Sequence, residues 1–295
     1  MADLKLYRIE NNKVKIKQKV EFKLEKEIQR FCEANLQELF GITFLASEYS
    51  TGAKHAGRID TLGLDENNCP VIIEYKLTSN ENVINQGLYY LDWLMDHQGE
   101  FELLCIKKRN KETEIDWSNP RLLCIAKDFT KFDDYAIGQI NRNIDLIRYR
   151  YFEDGYIIFE KTSATVQESN TSPITHVYKG VKEYHSQASQ KLKKLFEELE
   201  TFIMTLGDDV LKKELKFYYA YTRIRNFACV EIRPKDEKIL VYLKINYETV
   251  ENKADNIRDV AEIGHYGTGD TEVIIDSIED LNVAKELIEK SYEVS

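Results

Sequence analysis

Two apolar runs separated by a short turn constrain this chain more than any other feature. The runs are RIDTLGLD and PVIIEYKL, and ENNCP lies between them. Such runs on either side of a turn rich in Asn and Pro predict an antiparallel β-hairpin. Both predicted strands nevertheless carry charge, with Asp60 in the first and Glu74 and Lys76 at the end of the second. Charged side chains in otherwise apolar strands indicate a function beyond packing.

The rest of the first half of the chain predicts a mixed α/β domain. Residues 20–40 have the apolar period of an amphipathic helix, GITFLASEY predicts a strand, and NVINQGLYYLDWLMDH predicts another helix. We also predict strands at FELLCIKK, RLLCIAKDF and YIIFEK, and a helix over DDYAIGQINRNIDLIRYRYF. The polar stretch TSATVQESNTSPITHVY shows no periodicity and is typical of a linker. We therefore assign residues 1–161 to a first domain, 162–178 to the linker and 179–295 to a second domain.

The second domain is predicted to be a smaller α/β unit. We expect a helix over YHSQASQKLKKLFEELETFIM and a shorter one over DDVLKKELKFYYAY, then strands at FACVEIRP and KILVYLKIN. GHYGTGD leads into a further strand, and IEDLNVAKELIEKSYE predicts the last helix. The glycines of GHYGTGD could approach an anion, but the loop lacks the Lys-Ser/Thr of a P-loop, which favours a structural turn.

Charge and cysteine content narrow the classes of function. The net charge of -10 argues against a uniformly basic nucleic-acid-binding surface, but twelve Asp or Glu against four Lys or Arg lie after residue 249, so the rest of the chain is close to neutral. KKRNK and NRNIDLIRYRY are local basic clusters, and each is either a phosphate contact or a solvated surface. Five dispersed cysteines without a CxxC pair predict buried free thiols. With no signal peptide and no long apolar run, we predict a cytoplasmic protein without a membrane partner.

The charged residues of the hairpin can form a single site. Alternation along a strand sends Glu74 and Lys76 to one face and Tyr75 to the other. If the hairpin pairs as predicted, Asp60 approaches Glu74, and two such carboxylates repel unless a cation lies between them. Oxygen ligands favour Mg²⁺ or Mn²⁺, and Lys76 could then orient water and stabilise charge on phosphorus. The alternative is that Glu74 and Lys76 form a surface ion pair while Asp60 caps a turn.

The spacing of Gly57, Asp60, Glu74, Tyr75 and Lys76 resembles the motif of the PD-(D/E)xK nuclease superfamily, and within it the RecB-like and NucS-like endonucleases. Members carry a Q-x3-Y motif on the following helix and further motif residues upstream. Residues of this chain that match those additional positions are Gln86, Tyr90, Glu25, Ile28, Asn35, Glu48 and Tyr49. The resemblance covers about Leu24 to Leu94.

The resemblance implies an α/β (α+β) restriction-endonuclease-like domain, with a mixed sheet flanked by helices, that cuts nucleic acid, with DNA as the expected polymer. Asp60 and Glu74 would bind Mg²⁺ or Mn²⁺, with the Tyr75 carbonyl and Glu25 completing the ligand set. Lys76 would position the attacking water. The residues expected to support the site or touch the nucleic acid are Gln86, Tyr90, Arg58 and Glu48. Helical geometry also favours Glu25 over Glu27 as the inward-facing glutamate.

One departure from the family matters. NucS-like proteins have a separate N-terminal DNA-binding domain, whereas only about twenty residues precede the first predicted helix here, so their specificity does not transfer. The second domain instead resembles a domain of unknown function that follows such nuclease modules in bacterial proteins labelled "predicted transport protein". A rival interpretation is a non-catalytic module that binds nucleic acid or protein. The oligomeric state stays open, with a homodimer as one alternative.

Overall fold

A computed structural model of the chain describes residues 4–78, 82–110, 112–166, 180–251 and 253–295. It divides into two compact units. The first contains the described residues up to 166 except 66–68, and the second contains 66–68 and the described residues from 180 onward. The predicted α+β class is confirmed, because one unit holds a mixed sheet flanked by helices and the other holds a smaller sheet.

The first unit is built on a seven-stranded mixed sheet and a separate two-stranded sheet. Its strands are β1 (Leu6–Glu10), β2 (Lys13–Lys17), β3 (Lys19–Val20), β4 (Thr43–Ser50), β5 (Arg58–Leu64), β6 (Pro70–Lys76), β7 (Arg121–Ala126), β8 (Asn143–Phe152) and β9 (Tyr156–Thr165). The large sheet has the order β3-β8-β7-β6-β5-β4, and β9 pairs with β8. β7 runs parallel to β6 and β8, whereas the other neighbours are antiparallel. The predicted hairpin of β5 and β6 is therefore confirmed.

Helices cover this sheet. They are α1 (Glu25–Ala34), α2 (Leu36–Phe40), α3 (Gly52–His55), α4 (Val83–Asp96), α5 (Gln98–Arg109) and α6 (Lys131–Ile137). Ile72 of β6 belongs to the apolar core that includes α4. Tyr75 lies three residues later and therefore on the opposite face. Its hydroxyl is 3.4 Å from the Thr61 hydroxyl, which donates to Glu33 of α1 at 2.7 Å. Helix α1 thus packs on one face of β6 and helix α4 on the other.

The second unit has one antiparallel sheet with the order β10-β11-β12-β13-β15-β14. Its strands are β10 (Leu211–Glu214), β11 (Tyr219–Thr222), β12 (Asn226–Arg233), β13 (Lys238–Leu243), β14 (Ile257–Asp259) and β15 (Thr271–Ile275). Its helices are α7 (Val181–Gln187), α8 (Gln190–Thr205) and α9 (Ile278–Glu293). Val230, Val241 and Val273 join the apolar side chains of these helices in one core.

Three predicted elements were wrong in type. FELLCIKK is part of helix α5, because Phe101 and Cys105, four residues apart, are the buried positions. The stretch predicted as a helix over 133–152 is split between α6 and strand β8, which pairs along both edges. The stretch over 208–221 forms β10 and the start of β11, where Tyr219 and Tyr221 alternate into the core. Short apolar runs fit both periods, and pairing with neighbouring strands decided between them.

The remaining differences concern segment boundaries. Strands β1, β2 and β3 lie in the region before the first predicted helix, for which no element was predicted, and β3 includes Val20, the first residue of that predicted helix. Strand β9 runs to Thr165, beyond the predicted domain end at 161, and the linker residues 167–178 lie outside the described residues. The predicted helix over 184–204 is two helices, α7 and α8.

Two expectations about composition can be compared with the fold. All five cysteines are buried and free, as predicted. Within the described part of the chain, no helix has both the length and the apolar content needed to cross a membrane.

Candidate functional site

Asp60 and Glu74 meet where strands β5 and β6 lie side by side. The ladder pairs Thr61 with Ile73, which places Asp60 and Glu74 one step further along it. The Asp60 N–H donates to Glu74 Oε1 at 3.2 Å, and the Tyr75 N–H donates to Asp60 Oδ2 at 3.1 Å. The antiparallel pairing thus brings together the two carboxylates that the sequence separates by thirteen residues.

Glu74 is a fully buried carboxyl group at the site, with 0% of its surface exposed. Its Oε2 atom has no hydrogen-bond partner, although its Oε1 atom accepts from Asp60. Burial, followed by the charge of Asp60, raises the pKa of Glu74 to about 9. Burial also raises the pKa of Asp60, against the opposing effects of the Tyr75 hydrogen bond and the Lys76 charge. The pair is therefore costly to ionise unless a cation neutralises it.

Lys76 extends from the end of the same strand and lies beside helix α1. Its Nζ is 3.2 Å from Glu25 Oε2, and the Leu77 N–H donates to Glu25 Oε1 at 3.4 Å. Lys76 also lowers the pKa of both Asp60 and Glu74, as a nearby positive charge should. Glu27 faces elsewhere, since its carboxylate accepts from the N–H of Lys23. Glu25 is thus the helix α1 glutamate at the site, where it holds Lys76.

Tyr90 and Gln86 of helix α4 border the same site. The Tyr90 hydroxyl accepts from the Arg58 N–H at 3.1 Å and from Gln86 Nε2 at 3.5 Å. A Cβ atom at Gly57 would lie 2.5 Å from Tyr90 Cε1, so only glycine lets this ring pack so closely. An open cleft of about 500 Å³ has Arg58, Asp60, Gln86 and Tyr90 in its lining. The Q-x3-Y pair therefore lies at the rim of the carboxylate site.

Glu48 influences the site through its charge and does not belong to the Asp60–Glu74 pair. It accepts a hydrogen bond from Lys26 Nζ at 2.6 Å and pairs with the exposed guanidinium of Arg58. The hydrogen bond from Lys26 lowers the pKa of Glu48. Its negative charge in turn raises the pKa of Asp60. Glu48 and Arg58 therefore form a polar border next to Asp60, and neither directly bonds the Asp60 carboxylate in the contacts described.

Gln29 is a site residue that the sequence reasoning missed. Its buried side chain donates from Nε2 to the Asp60 carbonyl at 2.7 Å and to Ser47 Oγ at 3.2 Å. It fixes the backbone of Asp60 from helix α1. One signal was available, because Gln29 is a polar residue beside Ile28 and four residues after Glu25, on the helix face that packs inward.

The donor set fits a hard divalent cation. The buried Glu74 Oε2 without a partner and the adjacent Asp60 carboxylate provide oxygen ligands, and Mg²⁺ is commonly held by one or two carboxylates with water and phosphate oxygens. Among the described residues, no group of three or more His, Cys, Asp or Glu side chains could hold a metal ion together. Glu25 is engaged with Lys76 instead, so the protein carboxylates for a cation here are Asp60 and Glu74.

Comparisons with known proteins concern the second unit more than this site. Residues 181–295 match the model of a domain of unknown function, DUF5655, which confirms a domain of unknown function in the C-terminal region. The chain is also 28% identical over 286 residues to an uncharacterised protein of Haemophilus influenzae, covering 92% of this chain and 93% of that protein. No solved structure matches the chain. Asp60, Glu74 and the other residues of the carboxylate site lie outside the matched domain.

Proposed function

We propose that the first unit hydrolyses phosphodiester bonds of nucleic acid, with DNA as the substrate. The observation that carries the proposal is the buried Glu74 oxygen without a partner beside the Asp60 carboxylate. A structural carboxylate buried to this degree should have both oxygens satisfied. An unsatisfied one next to a second carboxylate is what a cation-dependent site requires before its cation binds.

Asp60 and Glu74 would hold Mg²⁺ or Mn²⁺, with the Tyr75 carbonyl as a further candidate ligand. When bound, such an ion supplies charge stabilisation for the phosphoryl oxygens and makes bound water more acidic. Gln29 keeps the Asp60 backbone in place through its bond to the carbonyl. The position of Asp60 in the site is thus fixed through its backbone.

Lys76 would supply the positive charge of the proposed site. Glu25 holds its ammonium at 3.2 Å, which limits the positions that the long side chain can take. A cation fixed beside the carboxylates can orient the attacking water and stabilise the negative charge that develops on phosphorus. Arg58, Gln86 and Tyr90 line the cleft in which the polymer would lie.

The motif adds support from the sequence. Gly57, Asp60, Glu74 and Lys76 have the order and spacing that resemble the PD-(D/E)xK nucleases. Gly57 has a physical role of its own, since Tyr90 occupies the space of its missing Cβ. The resemblance and the unpaired carboxylate oxygen are independent arguments for one activity.

A non-catalytic binding module is the second candidate. The ion pair between Lys76 and Glu25 favours it, because a lysine paired with a carboxylate can be explained by structure alone, without catalysis. The experiment is to incubate the purified chain and Mn²⁺ with linear, circular, single-stranded and duplex DNA. We expect cleavage of at least one form that stops when the metal is chelated. Binding to DNA without cleavage of any form would favour the binding module.

A further inference from the structure

The N-terminal hairpin stands apart from the large sheet. Strands β1 and β2 pair only with each other among the described strands, through a two-residue turn at Asn11 and Asn12 with φ of 49° and 62°. Positive φ at both turn residues is typical of a type I′ hairpin. An isolated two-stranded hairpin is marginally stable in water, so each of its faces needs a physical explanation.

Apolar side chains on one face of the hairpin pair across the two strands. Tyr7 lies opposite Ile16, and Ile9 lies opposite Val14. Cross-strand pairs of aromatic and β-branched side chains are among the pairs that stabilise an antiparallel ladder. These four residues therefore hold the two strands together from one side.

The other face carries charges that oppose pairing. Arg8 lies directly opposite Lys15, and like charges in this position destabilise a ladder. Glu10 pairs with Arg8 at 2.7 Å, but both side chains are more than half exposed, where such a pair contributes little. Asp154 accepts a hydrogen bond from Lys17, and its pKa is lowered by Lys17 first and then by Arg8 and Lys15. Lys17 is buried and lies within ion-pair distance of Glu153 as well, so the excess positive charge of this face comes from Lys13 and Lys15.

The local charge contrasts with that of the whole chain. Residues 4–20 contain six Lys or Arg and one acidic residue, Glu10, whereas the complete chain has a net charge of -10. Lys13 and Lys15 are exposed. A cationic face on a protein whose other residues sum to a net charge of -15 favours polyanions at this face over the rest of the chain.

A groove of about 400 Å³ lies between Lys19, two residues after the hairpin ends, and Leu77, the residue after Lys76. Its lining holds the cations Lys19, Lys127 and Arg150 together with the carboxylates Glu21 and Asp128, and Lys127 pairs with Glu21. Leu77 directly follows Lys76, and its N–H donates to Glu25. A polyanion lying on the hairpin could therefore continue past Lys19 toward the carboxylate site.

We propose that the basic face of the β1–β2 hairpin binds the phosphate backbone of duplex DNA and leads it toward the carboxylate site. The inference rests on the proposed function and adds that the substrate is double-stranded DNA. The major groove of B-form DNA admits a two-stranded β-ribbon, whereas the deep, narrow major groove of A-form RNA does not. Five residues per strand extend about 17 Å, which equals the rise of about five nucleotides of one strand along the DNA helix axis.

The first test removes charge from the hairpin. We expect Lys13→Gln/Lys15→Gln to bind a fluorescein-labelled DNA duplex about tenfold more weakly at moderate salt, with a salt slope that is shallower by about 1.8, as expected for two lost phosphate contacts. The matched control is Lys191→Gln/Lys194→Gln, which removes two exposed lysines from α8 and should leave both quantities unchanged. Unchanged affinity and slope in the hairpin variant would overturn the inference.

A second variant separates binding from folding. Lys15→Glu replaces the repulsive pair with Arg8 by an attractive one, so we expect the thermal midpoint to stay the same or rise while duplex affinity falls. Loss of affinity for phosphatidylglycerol vesicles without loss of affinity for the duplex would overturn the inference, as would equal loss for duplex RNA and duplex DNA.

The outcomes also separate this inference from the proposed function. Cleavage of DNA by the wild-type chain, combined with hairpin variants that bind duplex DNA normally, would overturn only the role of the hairpin. Duplex binding that depends on Lys13 and Lys15, without metal-dependent cleavage, would support the hairpin and overturn the nuclease activity.

Discussion

The backbone N–H of Asp60 donates to the buried carboxylate of Glu74 at 3.2 Å, and the other oxygen of that carboxylate has no partner. Glu74 therefore accepts a hydrogen bond from the backbone of Asp60, the residue whose carboxylate repels it when both are ionised. This arrangement is unfavourable for two ionised groups and becomes favourable when a cation binds between them.

We expect Mn²⁺ binding to release protons. The pKa of Glu74 is raised to about 9, so the group is protonated at neutral pH and must lose its proton to bind the ion. Calorimetric titration in two buffers with different ionisation enthalpies should show the release of about one proton per ion. Binding should be lost in Asp60→Ala and Glu74→Ala and kept in Asp92→Ala, which changes an exposed carboxylate of α4. Equal Mn²⁺ binding in all three variants would show that the ion does not bind at Asp60 and Glu74.

The stability of the metal-free chain should fall as the pH rises. The ordinary pKa of Glu74 is 4.5 and its folded-state value is about 9, so the folded chain holds this proton more tightly than the unfolded chain. The contribution is complete below about pH 4.5 and is lost as the pH approaches 9. Urea unfolding across this window should show the decline in the wild type and a smaller one in Glu74→Gln. The same decline in both proteins would show that other groups cause it.

Asp60→Asn should cost little stability in the absence of metal. Burial opposes the charge of Asp60, so a neutral Asn avoids that cost, and the Asn oxygen can still accept the hydrogen bond from the Tyr75 N–H. We expect a free energy of unfolding within about 1 kcal/mol of the wild type, or higher, together with the loss of activity. A loss of more than about 3 kcal/mol would indicate that Asp60 is a structural group.

Lys76→Ala should lower kcat by about 10²–10³, the size of effect seen when one preorganised electrostatic group is removed. Metal affinity should change much less, because Asp60 and Glu74 are held by their own strands. Glu25→Gln provides a companion variant, since it keeps the shape of the partner of Lys76 but removes its charge. Turnover near the wild-type value with a greatly raised KM for nucleic acid would make Lys76 a phosphate-binding residue.

The hairpin of β5 and β6 could be predicted because its apolar runs and turn are local in sequence. Alternation then placed Glu74 and Lys76 on one face, and the pairing brought Asp60 to them. Gln29 could not be assigned in the same way, because its contact with the Asp60 carbonyl depends on how helix α1 packs across the sheet. The unpaired Glu74 oxygen likewise depends on complete burial, which no local pattern gives.

The β8 segment shows the limit of periodicity for whole elements. Its cations and tyrosines show no clear period in NIDLIRYRYF, and the sequence predicts a helix there. In the structure this segment pairs with β9 along one edge and with β7 and then β3 along the other. Pairing of this kind joins residues far apart in sequence, and it overrode the local preference.

Single-turnover cleavage of a labelled DNA duplex, with Mn²⁺ and the chain in excess, tests the central claim most directly. The proposed site predicts cleavage by the wild type and by Asp92→Asn, and no cleavage by Asp60→Asn, with all three proteins folded by circular dichroism. Cleavage by Asp60→Asn at the wild-type rate would contradict the proposed site, and an intact duplex with the wild type across the DNA forms tested would contradict the nuclease activity itself.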